Sequence, residues 1–226
     1  VMPPWIDLSD DPHLAGGFGS YGEDTQGVWA QPIDVVGGGV LRSLWMTRHP
    51  NASMPTSNGR SRGTLSLMEG TSASNLTLRS HRPGSGAEAL EEDALARARE
   101  DGYDHIYVVE SLRDESVLGV NEIDEAAGYG TGRRVDLPAP ATLVRVGADG
   151  SRTLVRGALL SSASLRVLRR IRALGDAPHT TRFRVPPGVG GGLGAALGVE
   201  GILTETVNLR GTKPAWLVEG LRRAAA

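Results

Sequence analysis

The stretch TLVRVGADGSRTLV, residues 142–155, indicates the fold class more clearly than any other part of the sequence. Two short runs of alternating apolar and polar residues flank the pair Asp149-Gly150. Alternation with a period of two is typical of a half-buried strand. An Asp-Gly pair favours the positive φ angles of a tight hairpin turn. The stretch therefore predicts two antiparallel strands joined at Asp149-Gly150.

The same kind of pattern recurs on both sides of this hairpin. Residues 28–36 and 40–44 are two apolar runs joined by Gly37-Gly38-Gly39, which predicts a second hairpin. Strands are also predicted at residues 63–77, 103–112 and 202–209. The glycine-rich run 188–198 is predicted to be a loop. The chain is thus expected to consist mostly of antiparallel β-sheet.

Two segments have the spacing of amphipathic helices. In residues 87–101, Leu90, Ala94 and Ala98 recur on one face, and charged residues occupy the other. In residues 161–174 the apolar residues stand three apart, at Leu165, Leu168, Ile171 and Leu174. The predicted fold class is therefore α+β, a mostly antiparallel sheet with two principal helices. A chain of 226 residues fits a single domain spanning residues 1–226.

The composition excludes several classes of function. The formal net charge is −2, so no basic field would attract nucleic acid or an anionic membrane. The chain has no cysteine, which excludes disulfides, thiolate metal ligands and a cysteine nucleophile. Its first residues lack the basic and apolar segments of a signal peptide, and no apolar run has the length of a membrane span. A cytoplasmic protein with no nucleic-acid or membrane partner is expected.

Two glycine motifs resemble nucleotide-binding fingerprints but stand in the wrong context. Gly17-Phe-Gly19-Ser-Tyr-Gly22 follows an Asp-Pro loop and precedes a predicted strand. The fingerprint works only between a strand and a helix whose N-terminus receives the pyrophosphate. The run from Gly190 to Ala195 is followed too closely by the next predicted strand to leave room for a crossover helix. Neither motif predicts a cofactor site.

No catalytic constellation can be assigned from the residues alone. The five histidines are isolated from one another, and there is no His-Glu-x-x-His motif. Glu91, Glu92 and Asp93 would point in different directions on a helix, as on a solvated face. His179 is the histidine of most interest, because it opens a polar loop. The catalytic residues are unknown, and no metal ligand is predicted.

Several short motifs, in a fixed order, resemble the C-terminal domain of the TldD/PmbA family, also called modulators of DNA gyrase. The matching residues are Asp10-Asp-Pro12, Gly16-Gly-Phe-Gly-Ser-Tyr21, Gly27-Val28, Gln31, Gly39-Val-Leu41, Thr56-Ser-Asn-Gly-Arg60 and Ser74-Asn-Leu76, followed by residues 150–175 and 203–211. The order is kept over most of the chain. Residues 110–138 do not match the family pattern.

The resemblance implies a subunit of a metal-dependent peptidase that acts on small unfolded peptides. In complete members, a histidine pair with an intervening glutamate lies in the N-terminal half, and a cysteine of the C-terminal loop completes a zinc site. The corresponding loop, about residues 188–198, has no cysteine, and the N-terminal metal-binding half is absent from this sequence. No cofactor is therefore expected in this chain. Zinc is expected in a full-length protein or a partner subunit.

The expected partners are a TldD-type subunit or a second copy of the chain, together with an unfolded peptide. The chain is expected to be inactive when it is alone. The sequence leaves open whether the chain is itself an enzyme. The alternative is a non-catalytic peptide-binding or assembly module. Glycine loops can hold an extended peptide through their backbone groups. The residues predicted to line a peptide groove are Gly17, Gly19, Ser20, Tyr21, Asn58, Asn75, His179 and Gly190.

Overall fold

The computed structural model describes residues 1–49, 52–62, 70–112, 139–160, 165–185, 192–199, 202–204 and 209–211. These residues form mostly strands. The strands are β1 (Ile6–Asp10), β2 (Ile33–Gly37), β3 (Val40–Leu41), β4 (Ser61–Arg62), β5 (Gly70–Thr71), β6 (Asn75–Ser80), β7 (His105–Leu112), β8 (Pro140–Gly147), β9 (Arg152–Val155), β10 (Ala158–Leu160), β11 (Ile171–Leu174), β12 (Pro178–Val185), β13 (Gly192–Val199), β14 (Ile202–Thr204) and β15 (Leu209–Gly211). In the described residues the single α-helix is α1 (Ala87–Glu100).

The largest sheet has six strands in the order β12-β13-β6-β1-β2-β3. Strand β1 is antiparallel to both β2 and β6, whereas β13 runs parallel to β6. The predicted triple-glycine hairpin is confirmed as β2 and β3, with Gly38 and Gly39 at φ angles of 58° and 75°. Glycine is required at position 39, because a Cβ there would lie 2.5 Å from the Met2 carbonyl oxygen.

The predicted hairpin at Asp149-Gly150 is also confirmed. Strands β8 and β9 pair antiparallel across it, Gly150 has a φ of 82°, and β7 completes a three-stranded sheet. The first predicted helix is confirmed as α1, which buries Leu90. Arg152 of β9 donates a hydrogen bond of 2.7 Å to Glu91, which ties the helix to this sheet.

The prediction of a second α-helix is wrong. The predicted fold class, α+β with two principal helices, is therefore wrong as well. Residues Leu165–Arg170 form a 3-10 helix, and Ile171–Leu174 is the strand β11. The sequence spacing explains the error. Apolar residues exactly three apart follow the period of a 3-10 helix, whereas an α-helix alternates intervals of three and four. Residues 161–164 lie outside the described part.

The glycine-rich run at residues 188–198 was predicted to be a loop, but part of it is a strand. Gly192–Val199 is β13, which lies between β12 and β6. Small residues permit close approach of neighbouring backbones in the middle of a sheet. Of the predicted strand at 202–209, residues 202–204 are β14, residues 205–208 lie outside the described part, and Leu209 begins β15. Of the predicted strand at 63–77, residues 63–69 lie outside the described part, and β5 and the start of β6 lie in the rest.

The chain divides into two compact units. One comprises Val1–Ala87 and Leu168–Leu203, and the other Glu88–Val167 and Thr204–Ala226. In the first unit, Ile6, Ile171 and Leu174 form a buried cluster against which Leu168 and Trp5 pack. A single cooperative domain over residues 1–226 stays a prediction. Of the helices in the described residues, none is both long and apolar enough to cross a membrane.

Candidate functional site

A fully buried carboxylate, Asp10, lies at the end of β1. Its Oδ2 accepts hydrogen bonds from Nε of Arg60 at 3.2 Å and from Nε1 of Trp45 at 2.7 Å. Its Oδ1 accepts the backbone N–H of Asn75 at 2.9 Å, and also the backbone N–H and hydroxyl of Ser74. A buried charge is tolerated only when it is paired and hydrogen-bonded, and Asp10 meets both conditions.

Arg60 extends this network to two further segments, and it is also fully buried. Its Nη2 donates to the carbonyl oxygens of Asp10 at 3.2 Å and Gln31 at 2.7 Å, and its Nη1 donates to that of Asn58 at 3.3 Å. Gly59, next in the chain, has a φ of 72°, and a Cβ there would lie 2.5 Å from the Cα of Ala30. The salt bridge therefore fixes where three chain segments meet.

Asn75 connects the network to the glycine-rich part of the 11–31 loop. Its Oδ1 accepts the N–H of Gly19 at 2.9 Å, and its Nδ2 donates to the Asp11 carbonyl at 2.8 Å and to the Ser20 hydroxyl at 2.9 Å. A Cβ on Gly17 would lie 2.7 Å from the same Oδ1. The glycines thus allow close packing of the loop on Asn75.

Tyr21 and Asn58 join the loop to the segment before β4. The Tyr21 hydroxyl donates to the Gly59 carbonyl at 2.7 Å, and burial raises the pKa of Tyr21 above its usual value of 10.0. The guanidinium of Arg62 lies 4.0 Å from the centre of the Tyr21 ring. Asn58 accepts from the N–H of Met46 at 2.8 Å and donates to the Leu44 carbonyl at 2.8 Å.

Six of the eight predicted groove residues therefore lie in one hydrogen-bonded region. They are Gly17, Gly19, Ser20, Tyr21, Asn58 and Asn75. His179 is an exposed residue of β12, where it pairs with Gly198, and is not part of the network described above. Gly190 lies outside the described residues. The role of all eight in holding a peptide stays a prediction.

Sequence reasoning missed the charged residues that organise this region. Asp10 and Arg60 were noted only as members of short family motifs, and nothing in the spacing showed that they pair across fifty residues. Asp24 was not noted at all. Its Oδ1 accepts the N–H groups of Gln26 and Val28, both at 2.9 Å, and its Oδ2 accepts that of Ser61 at 3.0 Å. A polar residue at the buried end of an alternating strand was the available signal for Asp10.

Three large apolar side chains of the 11–31 loop are exposed. Leu14 is 38% exposed, Phe18 is 43% exposed and Trp29 is 60% exposed. The His13 and Trp29 rings contact each other at a tilt of 41°, with ring centres 5.1 Å apart. The guanidinium of Arg182, on β12, lies 5.6 Å from the centre of the Phe18 ring. We name His13, Leu14, Phe18, Trp29 and Arg182 the aromatic strip.

The described residues do not fit the zinc ion that a metallopeptidase requires. In the described part of the chain, no three His, Asp or Glu side chains converge as metal ligands. The buried carboxylates do not offer a site either. The carboxylate of Asp10 already accepts hydrogen bonds from a guanidinium, an indole and a backbone amide. The carboxylate of Asp24 already accepts hydrogen bonds from backbone amides.

The chain belongs to the PmbA/TldA metallopeptidase C-terminal domain family, whose model matches residues 1–199. This confirms the resemblance found in the sequence. The fold is similar to that of TldE from Thermococcus kodakarensis, at 13% identity and a TM-score of 0.54, over 93% of this chain and 40% of that one. It is also similar to a protein of Thermotoga maritima described as a candidate modulator of a DNA gyrase. There the identity is 18% and the TM-score 0.53, over 92% of this chain and 40% of that one.

The chain thus spans about 40% of the length of these two solved proteins. A comparison with curated proteins found no match.

Proposed function

We propose that this chain is the peptide-holding part of a TldD/PmbA-type metal-dependent peptidase that acts on small unfolded peptides. The observation that carries the proposal is the 11–31 loop. The buried network of Asp10, Arg60 and Asn75 anchors its backbone, while its aromatic side chains remain exposed. A surface held rigid before binding loses little conformational entropy when a ligand docks. Membership of the metallopeptidase domain family supports the peptidase context.

We propose that the metal is supplied by other residues. These belong to the rest of a full-length protein or to a TldD-type partner subunit, and a homodimer is the other proposed assembly. The donor set of the described residues does not fit zinc, and the sequence has no cysteine. When bound, such a metal polarises the scissile carbonyl. This chain's own residues position the peptide, no catalytic residue is assigned to it, and the proposed compartment is the cytoplasm.

The alternative function, a non-catalytic peptide-binding or assembly module, is favoured by a different surface. Strand β7 exposes Tyr107 and Val109, which stand two residues apart and therefore lie on one face of its sheet. Exposed apolar residues on one sheet are typical of surfaces that contact other proteins. This observation supports an assembly role, which can accompany the peptidase role or replace it.

A cleavage assay separates the two functions. An unfolded peptide is incubated with the chain alone, with a metal-bearing TldD-type subunit alone, with both, and with both plus a chelator. The peptidase proposal expects cleavage that is greatest in the mixture and is lost on chelation. Chelator-insensitive cleavage by the chain alone would refute it. If the chain leaves the subunit's rate unchanged but still binds the peptide, the binding-module alternative is favoured.

A further inference from the structure

We infer that the aromatic strip selects peptides in which a large apolar residue and an aspartate or glutamate are separated by one residue. This inference rests on the proposed function and specifies its substrate class. Four features of the described residues support it: the contacts within the strip, its positive end, the hydrogen bonds of the nearby backbone N–H groups, and the distance between Phe18 and Arg182.

The members of the strip are related by contacts and by the course of the chain. The Trp29 ring contacts the His13 ring at a tilt of 41°, and His13 is followed in the chain by Leu14. The Leu14 carbonyl accepts the N–H of Gly17 at 2.9 Å, and this turn brings the chain to Phe18. Exposed aromatic and aliphatic groups on a fixed backbone form a surface for apolar side chains of a ligand.

The strip carries a positive charge at one end. Arg182 is exposed and lies against the Phe18 ring. Its position is set by the sheet, because Arg182 pairs with Ala195, and Ala195 pairs with Asn75, which anchors the loop. Within the described residues, Arg182 forms no salt bridge with a carboxylate. A carboxylate on the ligand complements this charge.

The neighbouring backbone indicates a side-chain carboxylate and not a peptide C-terminus. Terminal carboxylates are typically captured by several free backbone N–H groups. Around Phe18, three of these groups already have acceptors. The N–H of Gly17 bonds to Leu14, that of Gly19 to Asn75, and that of Ser20 to the Gly17 carbonyl. The Arg182 guanidinium, in contrast, provides donors beside Phe18, which suits an Asp or Glu side chain in the middle of a peptide.

The distance between Phe18 and Arg182 determines how far apart the apolar and the acidic residue lie in the peptide. The Arg182 guanidinium lies 5.6 Å from the Phe18 ring centre. In an extended chain, side chains on one face are separated by two residues, or about 7 Å. When an apolar side chain of the peptide packs on Phe18, the carboxylate of the residue two positions further along the peptide therefore lies beside Arg182.

The experiment uses fluorescein-labelled hexapeptides of sequence Gly-Ser-Phe-Gly-Asp-Gly with an amidated C-terminus, titrated with the full chain and followed by fluorescence anisotropy. Comparison peptides replace Asp by Asn, replace Phe by Ala, or carry a free C-terminal carboxylate. We expect binding to weaken about fivefold for Asn, as for an exposed ion pair, and about tenfold for Ala, as for a partly buried apolar side chain. The free C-terminus should change little.

Two variants assign the effects to the strip. Arg182→Gln should abolish the preference for Asp over Asn, and Phe18→Ala should abolish the preference for Phe over Ala. The matched controls are Arg79→Gln, at an exposed arginine of β6, and Tyr103→Ala, at an exposed aromatic residue of the other unit. Both should keep the two preferences. Unchanged circular dichroism spectra show that each variant is folded.

The outcomes also separate this inference from the proposed function. Equal binding of all peptides, or a preference that survives Arg182→Gln, overturns the selectivity but leaves peptide binding in place. Binding that requires a free C-terminus overturns the assignment to a side chain. Failure of every peptide to bind at millimolar concentration overturns both the inference and the peptide-holding role.

Discussion

The Nε of Arg60 donates a hydrogen bond of 3.2 Å to Oδ2 of Asp10, and both side chains are completely excluded from solvent. Removing one partner of a buried ion pair leaves an uncompensated charge, which is much more costly than losing an exposed pair.

Replacing the buried carboxylate should destabilise the fold strongly. We expect Asp10→Asn to lower the free energy of unfolding by about 3–5 kcal/mol, because the Arg60 guanidinium loses its counter-charge in the interior. The matched control is Asp7→Asn on the same strand, where the carboxylate pairs with an exposed His81. It should change stability by about 1 kcal/mol or less. Urea unfolding at pH 7 measures both, and equal losses would show that the Asp10 network does not stabilise the protein.

The close approach of Gly17 to Asn75 predicts a coupling between the two positions. Gly17→Ala should destabilise by about 1–3 kcal/mol, since its Cβ would overlap Asn75 Oδ1. In an Asn75→Ala background, where that oxygen is absent, the same change should cost less. A double-mutant cycle of unfolding free energies measures the difference. Additive effects would mean that the cost of the Cβ does not arise from its overlap with Asn75.

Leu168 tests the core of the first unit and the expectation of one cooperative domain. Leu168→Asp should destabilise by at least about 2 kcal/mol, because it places a charge against Ile6, Ile171 and Leu174. Leu159→Asp, at an exposed position of β10, should be close to neutral. In a thermal melt we expect one transition that shifts as a whole for Leu168→Asp. Two transitions, only one of them shifted, would contradict the single domain.

Tyr21 should make stability depend on pH in the alkaline range. Burial disfavours its phenolate, so its pKa in the folded state is raised above 10.0. As the pH rises, the unfolded chain therefore loses the Tyr21 proton before the folded chain does. The contribution of Tyr21 to stability is complete below pH 10 and declines as the pH rises through the folded-state pKa. Tyr21→Phe lacks this titration. The stability advantage of the wild type over Tyr21→Phe should therefore shrink between pH 9 and pH 11 in urea unfolding, and a constant difference would contradict the burial of the phenol.

Metal content gives a direct test of where the zinc belongs. We expect the purified chain to bind no stoichiometric zinc, because it contains no cysteine and no histidine pair. Elemental analysis after dialysis against zinc measures the content. About one zinc per chain that a chelator removes would refute the prediction.

The sequence predicted those parts of the fold that local rules determine. Asp149-Gly150 and Gly38-Gly39 are turns whose backbone angles few other residues adopt, so both hairpins were found. Leu90 and its neighbours have unambiguous α-helical spacing. The second helix was wrongly predicted because Leu165, Leu168 and Ile171 stand three apart, a spacing that fits a 3-10 helix leading into a strand. Local spacing does not reveal that the following residues pair with another strand.

The candidate site was predictable only in part, for the same reason. Glycines and short polar residues at 17–21 stood out because loops use them. Their anchor could not be found, because Asp10 meets Ser74 and Asn75 only through the pairing of β1 with β6. Arg182 reaches the loop through a further parallel pairing of β13 with β6. No periodicity within a segment encodes contacts of this kind.

The insertion of β13 beside β6 has a consequence for the newly made protein. Strand β6 occupies the middle of the sheet only after residues 192–199 have been synthesised. At about 5–20 residues per second, β6 waits on the order of ten seconds with an open edge. Unpaired edges recruit strands from other chains, and such distant pairings close slowly. We therefore expect ribosome-bound or prematurely terminated chains that end before β13 to be the aggregating species and the principal clients of chaperones.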